Sequence, residues 1–364
     1  MGAGGPSGPE NKLYAWGFNS SGQLGQGDTT SRSSPVQVGS LKTWNNVGAG
    51  YGHTIATKTD GTLWAWGRNN NGQLGLGDTT YRSSPVQVGA LTTWSDVACG
   101  AYHTIATKTD GTLWTWGNNF FGNLGLGDTT NRSSPVQVGS LTTWSKIACG
   151  YQFCISIKTD GTLWAIGGRN NAGQLGLGDT TSRSSPVQVG ALTTWSKIAC
   201  GGIHTIATKT DGTLWTWGDN TVGQLGLQDA GALFNRSSPV QVGALTTWSN
   251  IAGGSYHTIA TKTNGTLSTW GRNQYGQLGL VDTTNRSSPV QVGSLTTWSQ
   301  VAGARHNTIA TKTDGTLWIW GRNNQGQLGL GDTTNRSSPV QVGALTTWKS
   351  AAGGSAHTIA TTEE

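Results

Sequence analysis

The chain is one unit of roughly 50 residues written seven times. The motif GQLG recurs at Gly22, Gly72, Gly122 (as GNLG), Gly173, Gly223, Gly276 and Gly326, at steps of 50, 50, 51, 50, 53 and 50 residues. A unit this short cannot bury its own apolar face. Copies must stack, so a fixed period of this size means a solenoid or a propeller. The repeat overrides the two or three domains that 364 residues would otherwise suggest. Residues 11–364 read as a single body, and residues 1–10, MGAGGPSGPE, as a flexible tail or a cloning scar.

Within each unit the residue types divide into four short strands. In the copy starting at Val97 they are Val97–Gly100, His103–Lys108, Thr112–Gly117 and Pro135–Val138. Strands two and three flank Asp110-Gly111, a strong hairpin signal because Gly accepts positive φ without penalty. The first strand carries almost only small residues, which suit a centre where all copies converge. The fourth begins with Pro in every copy (Pro35, Pro85, Pro135, Pro186, Pro239, Pro289, Pro339), and Pro belongs on a sheet edge. First strand inside, fourth outside, seven copies round an axis: the predicted fold is all-β, a closed seven-bladed β-propeller of four-stranded blades. The chain enters on a third strand, Lys12–Gly17, and leaves after a second, His357–Thr361. The last blade must therefore join both ends, leaving no open edge at the seam.

Composition supports a folded chain of unusual polarity. Charged residues are only 11%, against about 25% in ordinary domains, and Ser, Thr, Asn and Gln supply the difference. Trp is abundant at 18 residues, and its recurrence at fixed strand positions reads as blade-to-blade core. The net charge of +6 comes from basic residues that recur once per unit, an Arg ring starting at Arg32 and a Lys ring starting at Lys58, with an Asp ring starting at Asp28. Local pairing within each blade is the expected arrangement, and no nucleic-acid patch is expected. No apolar run reaches membrane length, so no membrane partner is expected.

Candidate chemistry is sparse. Cys99, Cys149 and Cys200 share one repeat position and Cys154 stands alone; equivalent residues of successive blades are spread round an axis, so small buried thiols are expected rather than disulfides or a metal site. His53, His103, His204, His257 and His357 also share one position, in separate blades, and read as structural histidines hydrogen-bonded near the first turn. No nucleophile–base set is present, and the glycine-rich GQLGLGD segment does not lead from a strand into a helix. No enzyme activity, cofactor or metal is expected.

The motifs GQLGLG, RSSPVQV and GxxHT at this spacing resemble the repeats of the regulator of chromosome condensation family, over residues 11 to 362, in the near-identical form found in bacterial and phage-borne members. The resemblance implies a seven-bladed propeller but no single activity: the family includes a guanine nucleotide exchange factor, an ultraviolet photoreceptor and a secreted β-lactamase inhibitor. The exchange factor works through a wedge insertion and a basic tail, whereas the longest insertion here is three residues, within Gln228–Phe234. The photoreceptor motif needs a Trp that Ala304-Arg305-His306-Asn307-Thr308 lacks.

Differences between the copies point to a face. Strands alternate in direction, so the 1–2 and 3–4 loops share one end of the ring, and these loops hold nearly all the variation. The replacements are large or apolar: Phe120, Phe121, Tyr151, Ile203, Val222, Leu233, Phe234, Tyr256 and Tyr275. Such residues at loop tips are costly to expose and typical of binding hot spots. The expectation is a monomeric, non-enzymatic scaffold that recognises a protein or glycan through this face. The alternatives are an inert consensus-like or engineered propeller without a partner, and a guanine nucleotide exchange factor.

Overall fold

A computed structural model describes residues 11–363; the predicted tail at 1–10 lies outside them. Seven four-stranded antiparallel sheets surround one axis. In blade 2 the strands are Trp94–Cys99, His103–Lys108, Leu113–Gly117 and Arg132–Gln137, innermost to outermost. Blade 1 spans Trp44–Gln87, and blades 3 to 6 begin at Trp144, Trp195, Trp248 and Trp298. The closing blade takes Trp348–Gly353 and His357–Thr362 from one end of the chain and Leu13–Gly17 and Arg32–Gln37 from the other. Leu13 to Gly17 pair antiparallel with Thr361 to His357, so the predicted closure is present.

Two strand starts differ from the sequence reading by three residues, each for a local reason, and three other ends by one residue. The first strand starts three residues earlier, at the Trp, because Trp94 already pairs with Lys108 across the hairpin. The fourth starts three residues before its Pro, because Arg132 bridges back to Gly117; the register then shifts before Val136, which lets an edge strand absorb a residue with no N–H.

The crowded centre is real. A Cβ on Gly303 would meet Gly253 O at 2.3 Å, and one on Gly253 would meet Gly201 N at 2.5 Å. Only small side chains fit where the inner strands end at the axis, and they leave a narrow axial cavity of about 260 Å³. Further out, both faces of each second strand are covered by neighbours: His103 to Thr107 are all buried. The core is seven apolar clusters, each spanning a junction between blades. At the junction of blades 1 and 2, Ile55, Leu63, Leu74 and Val88 pack against Trp94, Val97 and Trp116. Trp116 also donates Nε1–H to the Gln73 carbonyl of blade 1 at 3.0 Å.

The ring residues are satisfied in two ways. Each Arg of the ring pairs with its blade's Asp at 2.5–2.6 Å, as expected. Among the described residues the Lys ring forms no ion pairs: Lys108 Nζ lies 3.6 Å from the Trp114 ring centroid and 5.0 Å from that of Trp94.

The histidines bond across junctions rather than at their own turn. His53 Nε2 reaches Thr104 Oγ1 of the next blade at 3.3 Å, and His257 reaches Thr308 at 3.0 Å. Burial pushes their pKa down, to about 3 for His53 and about 4 for His257, so they stay neutral.

The expectation for the cysteines is overturned as well. Cys149 and Cys154 form a disulfide, with Cα atoms 4.3 Å apart. They come from adjacent strands of one blade, where the hairpin register places Cys149 directly opposite Cys154. Cys99 and Cys200 remain free thiols, and burial pushes the Cys99 thiol up to about 12. His103 Nε2 lies 3.0 Å from Cys154 Sγ, so His103, Cys149 and Cys154 form one cluster, but its two sulfurs are bonded to each other.

Candidate recognition face

The 1–2 loops close over the axis in a belt of backbone hydrogen bonds. Tyr51 N–H donates to Ala101 O, Ala101 to Tyr151 O, Tyr151 to Gly202 O, Gly202 to Ser255 O, Ser255 to Arg305 O, and Arg305 to Gly354 O, at 3.0–3.3 Å. The loops lie this close because a Gly precedes six of the seven: a Cβ on Gly100 would sit 2.1 Å from His103 Cε1, and blade 6, which has Asn307 in place of His, is the one that carries Ala304 there. Two long side chains cross the belt. The Tyr151 hydroxyl bonds Ser255 over Gly202, and Arg305 Nη1 donates to the Tyr51 hydroxyl over the closing blade.

The 3–4 loops are rigid mounts for two-residue tips. In blade 2, buried Asn119 accepts the Leu124 N–H at 2.9 Å and donates to the Asp128 carbonyl at 3.0 Å. Asp128 in turn holds Arg132 at 2.5 Å. Its carboxyl is held below the usual carboxylate range, first by the Thr130 N–H. Gly122, Gly125 and Gly127 take positive φ of 76°, 70° and 83° inside this lattice. Whatever stands at positions 120 and 121 is therefore presented on a fixed backbone.

The nine residues singled out in the sequence all lie on this end of the ring, at different depths. Phe120 is 71% exposed and meets Phe121 edge-on, ring centroids 4.9 Å apart. Leu233 is 96% exposed and Phe234 43%; both sit on a single helical turn, Ala232–Phe234, in the inserted loop of blade 4. Phe121, Tyr151, Ile203, Val222, Tyr256 and Tyr275 are half-buried. Arg169 lies over Phe121 (5.4 Å), Arg272 over Tyr256 (5.4 Å) and Arg322 over Tyr275 (5.0 Å), and Tyr275 also contacts His306 at 5.0 Å.

Sequence reasoning passed over those arginines. Arg68, Arg169, Arg272 and Arg322 each follow the Gly that ends a third strand, and blades 2 and 4 put Asn118 and Asp219 there instead. The GRN pattern was the available signal. The opposite end of the ring also carries apolar side chains: Leu41, Leu91, Leu141, Leu192, Leu245, Leu295 and Leu345 are 39–49% exposed. They come one per blade, and singly spaced leucines need no partner to explain them.

Among the described residues, no helix is long and apolar enough to cross a membrane. A model of the "RCC1-like domain" matches residues 97–364, and one of the "Regulator of chromosome condensation (RCC1) repeat" matches 10–57 and 60–107. Curated relatives match short stretches. Ultraviolet-B receptor UVR8 of Arabidopsis thaliana is 40% identical over 112 residues, 30% of this chain and 25% of that protein. Human "Probable E3 ubiquitin-protein ligase HERC6" is 37% identical over 121 residues, 32% of this chain and 12% of that protein. The chain thus matches a quarter or less of either relative's length. Among solved structures, human WBSCR16 superposes with a TM-score of 0.86 at 22% identity, over 97% of this chain and 98% of that one. Prp20p of Saccharomyces cerevisiae does so with a TM-score of 0.84 at 20% identity, over 98% and 92%. At that identity the likeness shows the fold alone.

Proposed function

We propose, from the premise that this chain belongs to the RCC1-like domain family, that it is a non-enzymatic scaffold recognising a protein through its 1–2 and 3–4 loops. The observation that carries this is the exposure of Phe120 on backbone that the loop's hydrogen bonds hold in place, together with that of Leu233 and Phe234 on the inserted turn of blade 4. Water-exposed rings and leucine side chains gain free energy when a partner covers them, and a preorganised loop loses little entropy on binding. The solved structure of Prp20p was described together with its binding to Gsp1p and histones, which agrees with a propeller of this fold serving as a protein-binding surface. A glycan is the second occupant this face would accept, since exposed rings such as Phe120 can stack on sugars.

The test is a quantitative capture experiment from lysate of the source organism. It compares the intact chain with a Phe120→Ser, Phe121→Ser, Phe234→Ser, Tyr256→Ser variant whose melting temperature is checked first. We expect partners recovered by the wild type and depleted several-fold with the variant. Equal recovery by both would move the recognition surface elsewhere, and glycan-array binding without protein capture would favour the sugar.

A further inference from the structure

Charge on the loop face does not cancel. The Arg ring is committed to the Asp ring, one pair per blade. Five more arginines stand on this end: Arg68, Arg169, Arg272, Arg305 and Arg322. Among the described residues none of them has a carboxylate within ion-pair distance. The one further carboxylate on the face, Asp219, is buried and bonded to Thr221 and Gln224. Four of the five arginines belong to blades 5, 6 and 1, an arc that includes both neighbours of the closing blade, whereas the exposed Phe120, Leu233 and Phe234 stand on blades 2 and 4.

Arg68, Arg305 and Arg322 line one cleft of about 280 Å³ that runs between blades 6 and 1 over the closing blade. The cleft is open there because the closing blade has only Ser355-Ala356 at its 1–2 turn and Phe18 where blades 1, 3, 5 and 6 place Arg. Its donors are under-used. Arg322 donates no side-chain hydrogen bond among the described residues, Arg68 donates only Nε–H, to Asn70 at 2.9 Å, and Arg305 Nε is buried without a partner. Each guanidinium carries five N–H donors.

The chemistry of the ligand follows from what the aromatic rings are doing. Arg68 lies over Tyr102 (5.3 Å), Arg305 over Tyr51 (5.2 Å) and Arg322 over Tyr275 (5.0 Å). A nucleic-acid base or a sugar would want those ring faces as stacking platforms, and a guanidinium already occupies one side of each. The free N–H edges remain, and these match carboxylates in bidentate geometry. We propose that this cleft binds the Asp and Glu side chains of an acidic segment of a protein partner. The proposal rests on the reading of the loop face as protein-binding and assigns the arc from blade 5 to blade 1 to the partner's charge.

The probe is a fluorescein-labelled peptide of eight glutamates flanked by Gly-Ser, read by anisotropy with the full chain. Controls are the same peptide with glutamine for glutamate and an eight-nucleotide oligothymidylate. The Glu peptide should bind, the Gln peptide should not, and affinity should fall at least tenfold between 50 and 300 mM NaCl. An Arg68→Gln, Arg305→Gln, Arg322→Gln variant should lose at least tenfold, and Arg322→Gln alone about threefold. A variant with equal charge loss at the other end of the ring, Lys146→Gln, Lys197→Gln, Lys349→Gln, should stay within twofold. Equal loss in both triple variants overturns the site in favour of diffuse attraction. Oligothymidylate binding as tight as the Glu peptide overturns the ligand class, and absent Glu-peptide binding overturns the proposal. The serine variant of the apolar loops keeps the two readings apart. Lost partner capture with intact Glu-peptide binding supports both, whereas a capture defect without any Glu-peptide binding leaves only the broader reading standing.

Discussion

Blade 1 and blade 3 are built from the same unit, yet their junctions with the preceding blade differ. Blade 1 meets the closing blade through Thr54 and Trp66, which both donate to the Gln23 carbonyl, at 2.9 and 3.0 Å. Blade 3 places Cys154 and Ile166 at those positions, and the blade before it places Asn123 where the others have Gln. Neither hydrogen bond exists there. Blade 3 also has Phe153 in the histidine position, an extra Gly at Gly167-Gly168, and a fourth strand shortened to Val187–Gln188. The replacements are coupled. Ile166 now faces Gly125, and the disulfide partner of Cys154 faces it across its own hairpin. A repeat can thus change its junction chemistry wholesale, provided that both sides change together.

The difference between the two junctions is best attacked first where the loss should be greatest. Trp66→Ala removes a fully buried ring and its hydrogen bond and should destabilise by about 4 kcal/mol. Ile166→Ala, at the equivalent buried place, should cost nearer about 3 kcal/mol. Urea denaturation measures both, and the reverse order would show that the blade 3 junction is not the lighter one.

Acid sharpens the contrast next. The ring histidines have folded pKa values of about 3 to 4, below the unfolded value, so the unfolded chain binds protons first as pH falls. The stability they permit is whole above about pH 6.5 and is lost progressively towards pH 4, roughly 2 kcal/mol per histidine by pH 5. Blade 3, with Phe153, takes no part in this loss. His53→Phe should therefore flatten the curve of melting temperature against pH, and Phe153→His should steepen it. Parallel curves for wild type and both variants would contradict the assignment.

Reduction of Cys149–Cys154 should come third, at about 1–2 kcal/mol, because the bond closes a short hairpin whose ends the sheet already holds together. Dithiothreitol should lower the melting temperature of the wild type and leave a Cys149→Ser, Cys154→Thr variant unmoved. The smallest effect belongs to display positions. Phe120→Asn, which copies blade 1's Asn70, should change stability by less than about 0.5 kcal/mol. A larger loss would mean that Phe120 is part of the scaffold.

The contrast between blades also explains which features could be read beforehand. Blade number, strand order and closure were legible because each rests on a signal repeated in phase: Pro135 and its equivalents on the edge, Asp110-Gly111 in the hairpin, small residues inside. The end of the ring carrying Phe120 and Leu233 was legible from strand alternation alone. What escaped depends on pairing between positions that are not equivalent. Cys149 was compared with Cys99 and Cys200, its counterparts in other blades, although its neighbour is Cys154 across one turn. The His-to-Thr bonds join residues about one blade apart, and no local pattern announces them. The arginines after the third strands were missed because they are absent from blades 2 and 4 and from the closing blade and so form no complete ring; the Asp–Arg pairing that the sequence predicts holds Arg82, and the fold shows that no carboxylate is left for Arg68 among the described residues.

The closing blade has a consequence at high protein concentration. Its joint is a non-covalent contact between Leu13–Gly17 and His357–Thr362, and both halves belong to sequences written almost identically in every repeat. A chain that has formed six blades carries an unmatched two-stranded half-blade at each end, and a second molecule offers the same complementary pair. Bimolecular pairing then competes with ring closure, and each exchange leaves another free end for a third molecule. Dilution favours the closed monomer, whereas refolding from concentrated denaturant favours open chains of linked propellers. The repetition that makes the fold easy to read also makes neighbouring molecules interchangeable while the ring is open.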